Sequence, residues 1–346
     1  MGATGLRKIY RLQGIGGSIY VALPKEWLRR FNLDKGSAVE VSMESDGSLR
    51  IAPIREGGEG AGEAKKHLSE IEIFVEKPGD VYTSLLTAYL RGFDTITLRF
   101  STSAIEREVK SVIESAKDLL LGLEAVEIES NYIVLRVLAS EDMEMDSMVR
   151  NMHKTVRSMY LDALNSLKQG DVELAKAVAL RDKDVNKLYF YLTRIIRRKI
   201  QTATLDPKTL LKLVDMRMLI KFVEEIGDEA KNAASALIEA FSKNIKIDEN
   251  YTTQIEDAAN RVDEIYKNVV MKAHEKSIEI SELRQHMRTC LSIRDSLRSL
   301  RIKLAEEERN SYWLLEFIKS FENIAMNVYD ILSLMPFEII STMIYE

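Results

Sequence analysis

The chain has 346 residues, of which 46% are hydrophobic and 30% charged, with a formal net charge of −5; this is long enough for two or three domains with cores of their own and too apolar for a disordered chain. The negative balance excludes a protein coated in nucleic acid along its whole length and leaves room only for local basic patches. One cysteine, Cys290, excludes an intrachain disulfide framework and fits a reducing, cytoplasmic compartment, while the lack of a signal-type leader or of a long uncharged apolar stretch predicts no direct membrane insertion.

From Leu6 to Ile54 the pattern is short and extended: Ser18–Leu23, Ala38–Met43 and Ser48–Ile51 read as strands, with Asp46-Gly47 as a hairpin signal. Pro24 followed by Lys25-Glu26-Trp27-Leu28-Arg29-Arg30-Phe31 reads as one short helix with proline at its first turn, ended by Asn32 and Gly36. Gly14-Ile15-Gly16-Gly17-Ser18 is read as a turn and not as a phosphate loop, since it precedes a strand and no lysine follows. Residues 1 to 56 carry nine Lys or Arg against six acids, a net of +3, so affinity for phosphate backbones is concentrated here.

The order of strand, Leu-Pro-Lys helix, Lys-Gly turn and final hairpin resembles the AbrB/MazE/SpoVT swapped-hairpin family. That resemblance implies a DNA-binding β-barrel that two chains complete together, with Arg7, Lys8 and Arg11 on the leading strand and Lys25, Arg29 and Arg30 on the helix as DNA-binding residues. Gly17-Ser18 stands where such proteins often have a basic residue, so base readout is expected to differ. The bland alternative is a charged helix on a pure dimerisation module.

Glycine-rich, charged residues 55–66 form a linker. Residues 67–140 then alternate strand and helix: Ile71–Val75, a helix from Asp80 to near Gly92, Thr95–Phe100, a helix capped by Ser101 or Ser103 running to Leu121, and a hairpin of Ala125–Glu129 with Tyr132–Leu138. A small α/β module with its helices on one face is expected.

Residues 141–346 read as six helices, divided by Gly170-Asp171, Asp206-Pro207, Asn244 to Asn250, Ser281 and Asn310, in two groups at about 143–244 and 249–340. In the first group Leu219, Val223, Ile226, Ala230, Ala233 and Leu237 mark a packing seam. Glu224 and Asp228 flank it one turn apart, and Gly227 lies mid-helix. Like charges at that spacing and an internal glycine both disfavour a helix, the glycine by about 1 kcal/mol; a bound cation and a close helix approach would account for them.

The run Glu224-Glu225-Ile226-Gly227-Asp228 resembles the signature closing the third helix of a three-helix repeat in the PhoU family of phosphate-uptake regulators, with Glu225 in place of the usual basic residue. Leu180-Arg181-Asp182-Lys183-Asp184-Val185-Asn186-Lys187-Leu188-Tyr189 is similar to the family's second-helix run, with Asn186 where an acid is usual. The resemblance implies that Asp182, Asn186, Glu224 and Asp228 converge as ligands for iron, manganese, magnesium or calcium, hard cations that suit oxygen donors. The alternative is an acidic face paired with Lys183, Lys187, Lys221 and Lys231. In the second group the matching places hold Cys290 and Arg294, then Glu322-Asn323-Ile324-Ala325-Met326, which predicts no such cluster there. His286 and Cys290, one turn apart, are read as ordinary packing and not as the start of a zinc site.

The expected fold class is therefore α+β multidomain and mostly α: a dimeric N-terminal swapped-hairpin β-barrel (1–54), a small α/β middle module, and a C-terminal six-helix PhoU-like bundle of two three-helix repeats. No Ser-His-Asp order, zinc-protease helix or Walker motif occurs, and His67, His153, His274 and His286 are scattered, so no enzyme is expected. The two resemblances together imply a homodimeric, DNA-binding transcriptional regulator of phosphate uptake whose bundle senses or contacts the ATPase subunit of a phosphate ABC transporter. The alternatives are an adaptor that inhibits such a transporter without touching DNA, and a DNA-organising protein with little sequence preference.

Overall fold

The computed structural model describes residues 12–15, 18–43, 47, 49–54, 70–77, 79–101, 103–138, 145–203, 205–243, 249–272, 278–307, 312–335 and 337–338. It divides into two compact units, residues 1–66 and 67–346.

In the first unit the β-branched runs form two separate hairpins. Strand β1 (Gln13–Ile15) pairs antiparallel with β2 (Ser18–Tyr20), and β3 (Val39–Met43) pairs antiparallel with β4 (Leu49–Pro53). Between them lies α1 (Lys25–Arg30), whose N-cap is Pro24, one place earlier than the sequence suggested. Asn32 and Gly36, both at positive φ, turn the chain after it. The barrel is not closed within one chain: among the described residues no ladder joins one hairpin to the other. Four strands of three to five residues hold too few hydrogen bonds and too little apolar area to close a core alone. Accordingly, no residue of this unit whose burial is described is buried.

The second unit opens with β5 (Glu70–Phe74), α2 (Asp80–Arg91), β6 (Thr95–Arg99), α3 (Ser103–Lys117), β7 (Leu123–Ile128) and β8 (Tyr132–Val137). The sheet order is β5-β6-β8-β7, with β5 and β6 parallel and the other pairs antiparallel. Alternation assigns the faces: Ile96, Leu98, Ile133 and Leu135 are fully buried beneath α2 and α3, while Thr95, Thr97 and Arg136 lie on the opposite face. Helix α3 stops at Lys117, four residues short of the expected Leu121, where a turn leads to β7.

The bundle follows as α4 (Met145–Gln169), α5 (Val172–Thr202), α6 (Pro207–Ser242), α7 (Glu249–Asn268), α8 (Ile280–Glu307) and α9 (Tyr312–Ser333). Two of the breaks read from sequence are physical caps; the one near Ser281 falls at the start of α8, and Asn244 and Asn310 lie outside the described residues. Asp171 accepts from the Leu174 amide at 3.0 Å, and Asp206 accepts from the amides of Lys208 and Thr209, with Pro207 opening α6. Helix α6, about 54 Å long at 1.5 Å per residue, is the central member and packs against α4, α5 and α9. Two short strands lie outside the expected elements: β9 (Ile278–Glu279) pairs in parallel with β10 (Phe337–Glu338).

Two polar anchors fix the layers. Arg194 on α5, buried, donates to the carbonyls of Tyr89 and Phe93 (2.9 and 2.7 Å) and to Asp94 (2.7 Å), tying the α/β module to the bundle; Arg198 also pairs with Asp94. Between α4 and α7, Arg157 grips Asp263 through both carboxylate oxygens, Tyr160 donates to the same group at 2.7 Å, and His153 shares a 2.8 Å hydrogen bond with Tyr266. These contacts join the two three-helix groups.

Candidate functional site

The seam residues Leu219, Val223, Ile226, Ala230, Ala233 and Leu237 are all buried. Gly227 lies where α6 passes closest to its neighbours. A Cβ there would stand 3.2 Å from a Val185 methyl on α5 and 3.3 Å from a Val156 methyl on α4, so the glycine admits a backbone approach that a side chain would obstruct.

Beside that contact the four predicted oxygen-bearing residues come together. Asp182 and Glu224 are buried, at 5% and 8% exposure. Asp228 is half-buried, and burial together with the nearby Glu224 and Asp182 carboxylates and a hydrogen bond to Asp182 pushes its carboxyl up to about 6. Asn186 donates its amide to Asp182 Oδ2 at 2.9 Å. Two lysines then supply positive charge. Lys231 Nζ stands 2.6 Å from Asp182 Oδ2, while Lys221 Nζ lies 2.6 Å from Glu224 and 3.3 Å from Glu225. Lys221 also stands over the Tyr189 ring, which accepts a second cation, Arg217, at 5.0 Å.

The arrangement contains features of both sequence alternatives. The four residues share one buried seam, as ligands would, and Asp182 Oδ1 is buried with no hydrogen-bond partner. Yet the cation beside Asp182 is Lys231, and among the described residues no group of three or more His, Cys, Asp or Glu side chains is arranged to hold a metal ion. A ligand shell would require Lys231 to leave Asp182 and Asn186 to turn its amide away, so the donors as placed do not fit a bound metal. Of the other two lysines considered, Lys183 pairs with Asp118 at 2.6 Å instead of joining the cluster.

In the second group the matched places are also brought together, with different chemistry. Glu322 on α9 is buried and held by Arg301 from α8 at 2.6 Å, Arg294 reaches Met326 Sδ at 3.8 Å, and Asn323 donates to Glu229 of α6 at 2.9 Å. Cys290 is fully buried, and burial pushes its thiol up to about 12, which leaves it inert. His286 faces Glu282 at 3.5 Å. His67 and His274 lie outside the described residues.

Of the predicted DNA-binding residues, Lys25, Arg29 and Arg30 are exposed on α1, with Arg30 stacked near the Phe31 ring at 5.8 Å. Arg7, Lys8 and Arg11 lie outside the described residues. The unit exposes Leu12, Ile19, Tyr20, Val41, Met43 and Leu49, each more than half accessible.

The model of the PhoU domain matches residues 149–237, which is the span of α4 to α6 holding the carboxylate seam. Residues 149–237 are thus similar to a PhoU domain. A second model, described as antidote-toxin recognition MazE, bacterial antitoxin, matches residues 15–59; neither model is of a catalytic family. Among relatives, the phosphate-specific transport system accessory protein PhoU homolog of Pseudomonas putida is 29% identical over 90 residues, 26% of this chain and 34% of that protein. The homolog from Clostridium acetobutylicum is 26% identical over 133 residues, 38% of this chain and 58% of that protein. The chain thus spans between a third and three-fifths of the length of these relatives. Among solved structures, PhoU from Pseudomonas aeruginosa aligns with a TM-score of 0.45 at 20% identity, covering 56% of this chain and 94% of that one. The phosphate transport system regulatory protein PhoU from Streptococcus pneumoniae aligns with a TM-score of 0.43 at 16% identity, covering 56% and 94%.

No helix among the described residues is long and apolar enough to cross a membrane.

Proposed function

We propose that the chain is a cytoplasmic, homodimeric regulator of phosphate uptake that binds double-stranded DNA through residues 1–54 and uses the PhoU-type bundle as its sensing or interaction domain. The observation that carries this reading is the state of the N-terminal unit. It matches a MazE-type model, has no buried residue among those whose burial is described, and leaves two hairpins with open edges and exposed apolar side chains. Such a surface is satisfied by a second copy. Dimerisation doubles the exposed Lys25, Arg29 and Arg30 and so gathers positive charge for the phosphates of a duplex. The bundle supplies the link to phosphate through the described role of its relatives, and the ATPase subunit of a phosphate ABC transporter is the partner we assign to it.

The competing reading, a transporter adaptor without DNA, is favoured by the relatives' description as transport-system accessory proteins. Fluorescence anisotropy over a salt series separates the two, using a duplex from upstream of the protein's own gene and a scrambled duplex. The regulator prefers the native duplex, loses affinity steeply with salt, and loses binding in Arg29→Ala/Arg30→Ala. Absence of binding by the intact dimer at low salt establishes the adaptor instead. Equal affinity for both duplexes would point to a DNA-organising protein.

A further inference from the structure

The elbow joining α5 to α6 carries more positive charge than the N-terminal unit. Residues 187–221 hold nine Lys or Arg (Lys187, Arg194, Arg197, Arg198, Lys199, Lys208, Lys212, Arg217, Lys221) against two acids, Asp206 and Asp215, a net of +7 in a chain whose total is −5. Arg194 and Arg198 are spent on the α/β module, Lys221 on Glu224 and Glu225, and Asp206 on capping α6. Arg197, Lys199, Lys208 and Lys212 are exposed, and no acidic side chain among the described residues pairs with them.

The same elbow presents apolar surface. Every residue from Pro207 to Lys212 is exposed before the first buried one, Leu213, so the opening turn and a half of α6 stands clear of the core. Leu211, Val214 and Met218, at 60%, 46% and 42% exposure, form a stripe at three- and four-residue spacing. Helical geometry puts Arg217 and Lys221 on one flank of that stripe and Lys208 and Lys212 on the other.

We propose that the α5–α6 elbow docks the chain on an anionic lipid bilayer, with Leu211, Val214 and Met218 entering the headgroup boundary and the exposed Lys208 and Lys212 beside them on acidic headgroups. An aliphatic stripe bordered on both sides by basic residues is the pattern of an interfacial helix. The protruding end is exposed on all sides, which suits a yielding planar surface better than the walls of a protein groove. The charge is also polarised: with +7 at the elbow and +3 in residues 1–56, the other residues carry −15, so an anionic surface attracts the elbow and repels the rest of the unit that holds it, which orients that unit. The inference does not depend on DNA binding and goes beyond the regulator reading.

The test is co-sedimentation of the full chain with vesicles of phosphatidylcholine alone and of equal parts phosphatidylcholine and phosphatidylglycerol, at low and high salt. The expected result is partition onto the anionic vesicles only, weakened by salt. Lys208→Glu/Lys212→Glu should lower partition by about fivefold or more for each basic residue removed, and Leu211→Ser/Met218→Ser should lower it while leaving salt dependence in place. All four positions are exposed, and unchanged circular dichroism confirms the fold of each variant. Arg29→Ala/Arg30→Ala, which should abolish DNA binding, should leave vesicle binding unchanged. No partition onto anionic vesicles at low salt, partition insensitive to the elbow variants, or partition lost with the N-terminal arginines overturns the proposal. So does an elbow that retains the purified transporter ATPase but no vesicle, which would make the occupant an acidic protein.

Discussion

Replacing Asp228 with asparagine should stabilise the protein at neutral pH. In the native seam the Asp228 carboxyl is half-buried beside Glu224 and Asp182, and its pKa is pushed from 3.8 to about 6. A folded-state value above the unfolded one means that the protonated carboxyl favours the fold: the contribution is complete below about pH 4 and is lost as pH rises through 6. The gap corresponds to about 3 kcal/mol at 1.36 kcal/mol per decade, and solvent screening of a half-exposed group reduces this to about 1–1.5 kcal/mol. The asparagine amide would keep a donor toward Asp182 without the repelled charge. Urea denaturation at pH 7.5 should therefore show Asp228→Asn more stable by that amount, with the difference shrinking to nothing near pH 4. The same experiment with added manganese, magnesium or calcium examines the cation reading, since a metal bound to the seam would reverse the sign and make the asparagine variant the less stable protein. An unstabilised variant in metal-free buffer at pH 7.5 would refute the account of a repelled, partly protonated pair.

Other substitutions address the remaining contacts. Gly227→Val should destabilise the bundle by about 2–3 kcal/mol in chemical denaturation, because its Cβ and methyls meet Val185 and Val156 at contact distance or closer. Arg194→Ala strips the Tyr89 and Phe93 carbonyls and Asp94 of a buried donor; it should cost about 2–4 kcal/mol and raise hydrogen exchange in α2 far more than in α9. Arg301→Met leaves buried Glu322 without its cation and should cost about 3 kcal/mol at pH 7, with stability recovered when Glu322→Gln is added.

The helices of the bundle were legible because their boundaries are local chemistry. Asp171 and Asp206 accept from the amides two and three residues on, and such caps are visible in sequence. Gly227 was legible for a similar reason: a glycine that costs helix stability implies a neighbour too close for a side chain, and Val185 and Val156 are that neighbour. The sequence offered Lys183, Lys187, Lys221 and Lys231 as partners of the acids, but not which of them faces Asp182, since helical period assigns a face and not the rotamer of Lys231 three residues beyond Asp228. The stripe of Leu211, Val214 and Met218 is not legible in the sequence because apolar spacing does not reveal where a helix overhangs its partners; nine basic residues against two acids over 187–221 are the available signal. Barrel closure cannot be followed within one chain, because the family pattern describes two chains and the hairpins of one leave their edges open.

The two three-helix groups place the same helical positions together and solve the same electrostatic problem differently. A buried carboxylate at the centre of a bundle must be neutralised, protonated or paired, because desolvation of an isolated charge is prohibitive. On α6 the solution is distributed: Lys221 takes Glu224, Lys231 takes Asp182, and Asp228 yields by holding its proton to higher pH. On α9 it is a single forked pair, Arg301 with Glu322, and the place of the second acid is taken by Met326, which needs no partner. An arginine fork is fixed and always charged, whereas an ammonium on a flexible stem can be displaced. The charge balance around Asp182, Glu224 and Asp228 can thus respond to pH or to a competing cation more readily than the Arg301–Glu322 fork, and Asn323 on Glu229 ties α9 to α6.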